Sequence, residues 1–223
     1  MKIVDEAIKK GQTTLSEYES KQLLASYQIP VTREAMVKNE ENLIKTAADI
    51  GYPVVIKACS PNISHKTEKD LIRVDIRNDD EAKIAFNEII AGMNGNEKTV
   101  LVQEMIKGKR ELVAGLTRDS QFGPCVMFGL GGIFSEILKD ISFRVAPLEK
   151  RDALEMMQEI RGHKILHSIR GMKAADLNKL SDILIALGKI GRENESVAEI
   201  DINPLILSGG RPVAVDALVV LGV

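Results

Sequence analysis

Lys57 closes the apolar run Val54-Val55-Ile56 and is the first residue whose chemistry asks for an explanation. A lysine ending a strand of branched apolar residues is seldom buried without a partner. Either it snorkels from a strand edge, or it aims a compact ammonium at a polyanion such as nucleotide phosphates. Further along, His65 sits in Ser60-Pro61-Asn62-Ile63-Ser64-His65-Lys66-Thr67, where proline and asparagine predict an irregular loop. A loop histidine is either simply solvated or a nucleophile. Its neutral ring nitrogen can attack a phosphoryl group near neutral pH and form a transferable phosphohistidine. The other two histidines, His163 and His167, follow a helical pattern and carry no nearby chemistry.

Between Cys125 and Pro147 the apolar segment Val126–Phe128 runs into Gly129, Gly131 and Gly132. Glycines clustered at a strand end let the backbone approach a ligand and direct its N–H groups outward, as a phosphate loop requires. The same spacing also serves a tight turn. Gln103-Glu104-Met105 closes one strand and Lys109-Arg110-Glu111 opens another, with Glu111 sharing a face with Val113 and Gly115. These are either the charged ends of ordinary strands or, around Glu104 and Met105, a backbone stretch that reads an adenine edge. Near the C-terminus Glu199-Ile200-Asp201-Ile202-Asn203 alternates strictly, and Asp216 lies on the strand returning from Gly209-Gly210. A hairpin there brings Asn203 and Asp216 together. Such hard oxygen donors suit Mg2+ beside phosphate oxygens; the alternative is a solvated polar strand face.

These groups need a scaffold. Met1 to Thr14 reads as a polar leader or short helix. Ser16 and Glu19 form a capping box for a helix Glu17–Gln28, stopped by Pro30. Asn39 and Asn78 cap two further helices that end at Gly51 and Gly92. Strands are predicted at Pro53–Ala58, Val74–Ile76 and Val100–Glu104. Glu111–Thr117 and Pro124–Phe128 are expected to be antiparallel neighbours of the last of these, and a short strand follows near Phe143–Ala146. Helices Lys150–Arg161 and Asp176–Ile190 precede the final strands, Val197–Ile202 and Pro212–Val219. The second helix carries Leu177, Leu180, Ile183, Leu184 and Leu187 on one stripe. Without a regular strand–helix–strand rhythm the chain reads as α+β in two lobes, residues 1–97 and 98–223, hinged at Gly92–Lys98.

Composition narrows the class. The 223 residues carry a formal net charge of −2, so no electrostatic argument favours nucleic acid or an anionic membrane. Tryptophan is absent and aromatics make up 4%, leaving few platforms on which bases could stack. The charged stretch Met1–Lys10 is unlike a secretory signal, and no apolar run approaches the ~20 residues of a membrane span. Two cysteines are too few for a disulfide framework. A cytoplasmic setting is expected.

Four segments carry a resemblance: Gly51-Tyr-Pro-Val-Val-Ile-Lys57, the loop of His65, the long run from Asp119 to Leu148, and Glu199-Ile-Asp-Ile-Asn-Pro-Leu205. Together they resemble the ATP-grasp β subunit of ADP-forming acetyl-CoA (acyl-CoA) synthetases and, more distantly, the β subunit of succinyl-CoA synthetase. The resemblance implies a two-lobed ATP-grasp fold with mixed and antiparallel sheets flanked by helices. It also implies reversible conversion of acyl-CoA, ADP and phosphate to acid, CoA and ATP through a phosphohistidine. On that basis Lys57, Glu104, Met105 and Glu111 would bind nucleotide, and Gly129, Gly131 and Gly132 would cradle phosphate. Asn203, Asp216 and Asp201 would hold Mg2+. His65 would be the catalytic carrier, relaying phosphate to an α subunit in an α2β2 assembly, with Lys66 and Arg144 neutralising the travelling group. One departure stands out. After the histidine the family has glycines, whereas here the chain reads Lys66-Thr67-Glu68-Lys69-Asp70-Leu71-Ile72. That departure also admits a nucleotide-binding regulatory subunit without phosphoryl transfer.

Overall fold

A computed structural model describes residues 2–60, 71–93, 98–132 and 140–222. Helices α1 (Lys2–Lys9) and α2 (Glu17–Ser26) open the chain, followed by β1 (Glu34–Val37), α3 (Glu40–Ile50), β2 (Val54–Ala58), β3 (Ile72–Ile76), α4 (Asp79–Gly92) and β4 (Val100–Glu104). Then come β5 (Glu111–Asp119), β6 (Gly123–Leu130), β7 (Ile141–Val145), α5 (Lys150–Glu159), α6 (Leu177–Glu193), β8 (Val197–Ser208), β9 (Arg211–Ala214) and β10 (Ala217–Leu221).

The backbone forms two compact units. The smaller comprises Ser16–Tyr18 and Thr32–Met105. Its four strands run in the order β1-β4-β2-β3, all antiparallel. Helices α3 and α4 cover one sheet face, where Leu43, Ala47, Phe86 and Ile89 meet Val54, Ile56, Val100 and Val102. Both helices start where asparagine caps them: the Asn39 and Asn78 side chains accept from the N–H groups of Asn42 and Glu81 at 2.9 Å.

The larger unit comprises Met1–Leu15, Glu19–Val31 and Ile106–Val223. Its sheet runs β10-β8-β5-β6-β7, with β9 also on β8. The α6 stripe Leu180, Ile183, Leu184, Leu187 and Ile190 packs into the core that buries Leu112, Leu116, Val126, Phe128, Ile200 and Ile202. At the far edge the two ends of the chain meet: Leu15 N–H donates to Val219 O, and Leu221 N–H donates to Thr13 O.

Several expectations change. Strand β4 pairs with β1 and β2, not with β5 and β6. Its alternating register completes the smaller sheet, and β1 had no apolar run to announce it. The boundary at 97/98 therefore moves to Met105/Ile106, and the opening helices group mainly with the larger unit. The hinge expected at Gly92–Lys98 includes residues 94–97, which lie outside the described residues; α4 and β4 on either side belong to the same unit.

Close approach of β5 to β8 requires glycine at 115, where a Cβ would stand 2.5 Å from the Ile200 carbonyl oxygen. Replacing Gly115 with alanine is expected to cost ~1–3 kcal/mol, or about 2–4 °C in Tm per kcal/mol for a chain of this size. Thermal unfolding by circular dichroism measures it.

Candidate functional site

In the smaller unit, Lys57 lies on β2, a central strand flanked by β4 and β3, where it pairs with Leu101 and Ile72. Alternation places it with Val55 on the face opposite the one covered by α3 and α4. It is 2% exposed, which rules out snorkelling from an edge. Its ammonium Nζ donates to Glu17 Oε1 at 2.7 Å, and the Glu17 side chain is equally buried. Glu17 is the first residue of α2, where the helix N-terminus favours a carboxylate. The pair fixes the position of the ammonium. The capping pattern found the helix that carries Glu17, but nothing local pointed to a partner forty positions away.

The expected adenine-reading residues end β4. The Glu104 carboxylate accepts from the Arg33 backbone N–H at 2.8 Å and from Arg33 Nε at 3.1 Å, while Glu104 N–H donates to Arg33 O. Glu104 thus fastens β4 to the chain before β1. Met105 is the last residue of this unit and half-buried. His65 and Lys66 lie outside the described residues, as does the segment 68–70.

In the larger unit the polar face of β8 forms as the alternation predicts. On β8, Ile200 and Ile202 are buried, while Glu199, Asp201 and Asn203 turn to the other face. Ala217 pairs with Ile202 and Leu218 with Asp201. Val215 N–H donates to Pro204 O, so the register continues and sets Asp216 opposite Asn203. Asp201 is then the diagonal neighbour of Asp216, about 7–8 Å away by ordinary sheet geometry. Burial first, then the charges of Glu199 and Asp216, push the Asp201 carboxyl up to about 6. Mutually repelling carboxylates beside an amide oxygen are a donor set for a hard divalent cation. Among the described residues no three His, Cys, Asp or Glu side chains converge on one point, so Asn203 and a ligand's own oxygens would have to complete such a shell.

The three glycines divide. Gly129 lies within β6, where a Cβ would meet the backbone of Asp140 and the side chain of Ile141 at 2.6 Å. Gly131 would meet Leu112 O at 2.6 Å. Close packing accounts for both. Gly132 alone of the three has a left-handed backbone, φ +61°, and its missing Cβ leaves room for Glu111 Oε2. With Gly131 N–H donating to Glu111 O at 2.9 Å, Glu111 and the Gly131-Gly132 turn form one corner. Arg144 forms a two-pronged pair with Glu159, one contact at 2.9 Å, so its guanidinium is already engaged.

Two stability outcomes follow. Lys57→Met should destabilise the chain by ~3–5 kcal/mol, because Glu17 is left buried without its ammonium. Adding Glu17→Gln should recover much of that loss; urea unfolding of both variants reads it. Asp201 has its pKa raised on folding, so its protonated form is favoured in the folded chain. The cost of its charge grows as pH rises from about 4 to 6 and is complete above 6. Asp201→Asn should therefore stabilise the ligand-free chain by no more than about 3 kcal/mol at pH 7.5 and by almost nothing at pH 4.

Comparison with known proteins identifies the family. A family described as "ATP-grasp domain" matches residues 6–221. The acetate–CoA ligase (ADP-forming) I subunit beta of Pyrococcus furiosus is 43% identical over 221 residues, covering 97% of this chain and 95% of that one. The acetate–CoA ligase (ADP-forming) I of Archaeoglobus fulgidus is 36% identical over 99% of this chain, which spans 33% of that longer protein. Among solved structures, the acetyl-coenzyme A synthetase 1 of Ca. Korarchaeum cryptofilum with coenzyme A, Ca-AMPCP and HgCl+ superposes with a TM-score of 0.95 at 41% identity, covering 99% of both chains. The same synthetase with acetyl-coenzyme A and a phosphorylated phosphohistidine segment gives 0.90 at 40% identity, again over 99% of both. The chain belongs to the ATP-grasp family, among the β subunits of the ADP-forming acetate–CoA ligases.

Proposed function

We propose that this chain is the nucleotide-handling subunit of an ADP-forming acyl-CoA synthetase, interconverting acyl-CoA, ADP and phosphate with free acid, CoA and ATP. The observation that carries the reading is the β8–β10 register, which sets Asn203 against Asp216 with Asp201 on the same face. Identity above 40% to a ligase subunit favours a catalytic role over a purely regulatory one.

Each residue takes a part that its surroundings suit. Lys57 offers phosphate oxygens an ammonium that Glu17 holds in place. The end of β4 at Glu104 and Met105 borders the base, and the corner of Glu111 with Gly132 borders the sugar and phosphates. Asp201, Asn203 and Asp216 would hold Mg2+, which neutralises phosphate charge when bound. His65 attacks the terminal phosphorus with a ring nitrogen: the N–P bond forms, the bridging O–P bond breaks, and ADP leaves. In-line transfer needs contact distance, so a histidine carrier serves where nucleotide and acyl group are bound apart. The acyl and CoA chemistry falls to an α partner, which the longer Archaeoglobus relative supports, and an α2β2 assembly is what the resemblance implies. Among the described residues no helix is long and apolar enough to cross a membrane, and a cytoplasmic location agrees with that.

Incubation with Mg-ATP labelled at the γ-phosphate, with and without the α chain, should leave acid-labile, base-stable label on the wild type and none on His65→Ala. The Lys57→Met/Glu17→Gln variant removes both members of the pair and should bind nucleotide at least tenfold more weakly by calorimetry. Equal labelling of His65→Ala would overturn its role, and undiminished nucleotide affinity of the double variant would overturn that of Lys57.

A further inference from the structure

Outside the residues assigned above, one surface of the larger unit is strongly and unusually cationic. From Arg161 to Ala175 the sequence holds three lysines or arginines besides Arg161, two histidines and no acidic residue, in a chain of net charge −2. Arg161, Lys164, His167, Arg170 and Lys173 are all exposed. The acids that flank it in sequence or bond to it are each engaged: Glu159 pairs with Arg144, Asp140 accepts from the N–H groups of Arg161 and Gly162, and Asp176 caps α6 by accepting from Lys179 N–H.

The segment is held rigidly. The buried Arg110 guanidinium donates to three of its carbonyls, those of Ile165 at 2.8 Å, His167 at 3.1 Å and Lys173. Gly210 packs against Ala174 and Lys173, and the exposed Arg211 that follows extends the positive surface. At the tip, Ile169 and Met172 exchange both backbone hydrogen bonds around Arg170-Gly171. Both tip residues are left-handed, φ +48° and +79°. Such a two-residue turn favours asparagine or glycine at its first position. An arginine there is strained and fully presented, a pattern associated with function rather than stability.

We propose that this arginine-tipped knuckle is a docking surface for an acidic face of the α chain, with Arg170 at its centre. The inference rests on the α-partner reading above. Complementary charge suits such a surface: ordered cations on a braced loop steer encounter and fix orientation without burying apolar area.

The test is the affinity of this chain for the α chain co-expressed with it, measured by biolayer interferometry at 50 and 500 mM NaCl. Arg170→Asn should raise Tm slightly, because asparagine fits the turn, yet raise Kd for α about tenfold at low salt. Arg170→Glu with Lys173→Glu should raise Kd about a hundredfold and flatten its salt dependence. Lys83→Glu, an exposed charge change on α4, should leave Kd unchanged. Unaltered Kd in the Arg170 variants would overturn the surface while leaving the α partnership intact. Normal assembly with lost acyl-CoA turnover would also overturn it and assign the cations to phosphates of CoA. Failure of the wild type to bind α at any salt would overturn both readings.

Discussion

Strand β8 is the constraint on which the larger unit depends. It is twelve residues long and hydrogen-bonded to β5 along one edge and to β10 and β9 along the other. Its period of two divides the strand into a buried row, Ile200 and Ile202, and an opposite row, Glu199, Asp201 and Asn203. A slip of one residue would bury three polar side chains and expose the aliphatic ones. The packing of α6 therefore enforces the register that sets Asn203 opposite Asp216. The oxygen cluster costs little extra organisation, because the hydrophobic core already specifies where those side chains point.

Charge burial is handled differently in each unit. In the smaller one, Lys57 is neutralised by a carboxylate brought from the first turn of α2. In the larger one, Lys21 has no measurable exposure and donates to Val215 O at 3.2 Å, next to Asp216. Arg110 instead spends its donors on loop carbonyls. An ammonium gathers its acceptors around one point, whereas the broad, planar guanidinium fork reaches carbonyls spread along a loop. In both units a buried cation lies beside a segment that the proposed chemistry uses, so position is bought with charge that must stay compensated.

Much of this was legible in the sequence. Asparagine caps at 39 and 78 marked two helices, and the alternation of Glu199, Asp201 and Asn203 gave both the strand and its polar face, because these signals are local. The partners of Lys57 and Glu104 were not legible. Glu17 and Arg33 meet them through tertiary contacts that leave no trace in spacing. Strand β1 was missed because Glu34-Ala35-Met36-Val37 is short and only Val37 is fully buried. The glycine cluster misled in part: Gly129 and Gly131 allow strands to pack closely, and only Gly132 needs a left-handed backbone. Glycine marks close approach, whatever atoms do the approaching.

The backbone hydrogen bonds that tie Leu15 to Val219 and Leu221 to Thr13 bear on how the chain is made. The strands of the smaller unit all lie between residues 34 and 104, so its sheet can assemble as soon as β4 leaves the ribosome. The larger unit must wait, because its sheet gains β10 only when residue 221 emerges and closes on a segment made about 200 residues earlier. Contacts of such sequence separation form slowly. During synthesis the chain thus passes through an interval in which one unit is built and α1 and its following strap have no sheet to join, and that interval is where chaperones would find it.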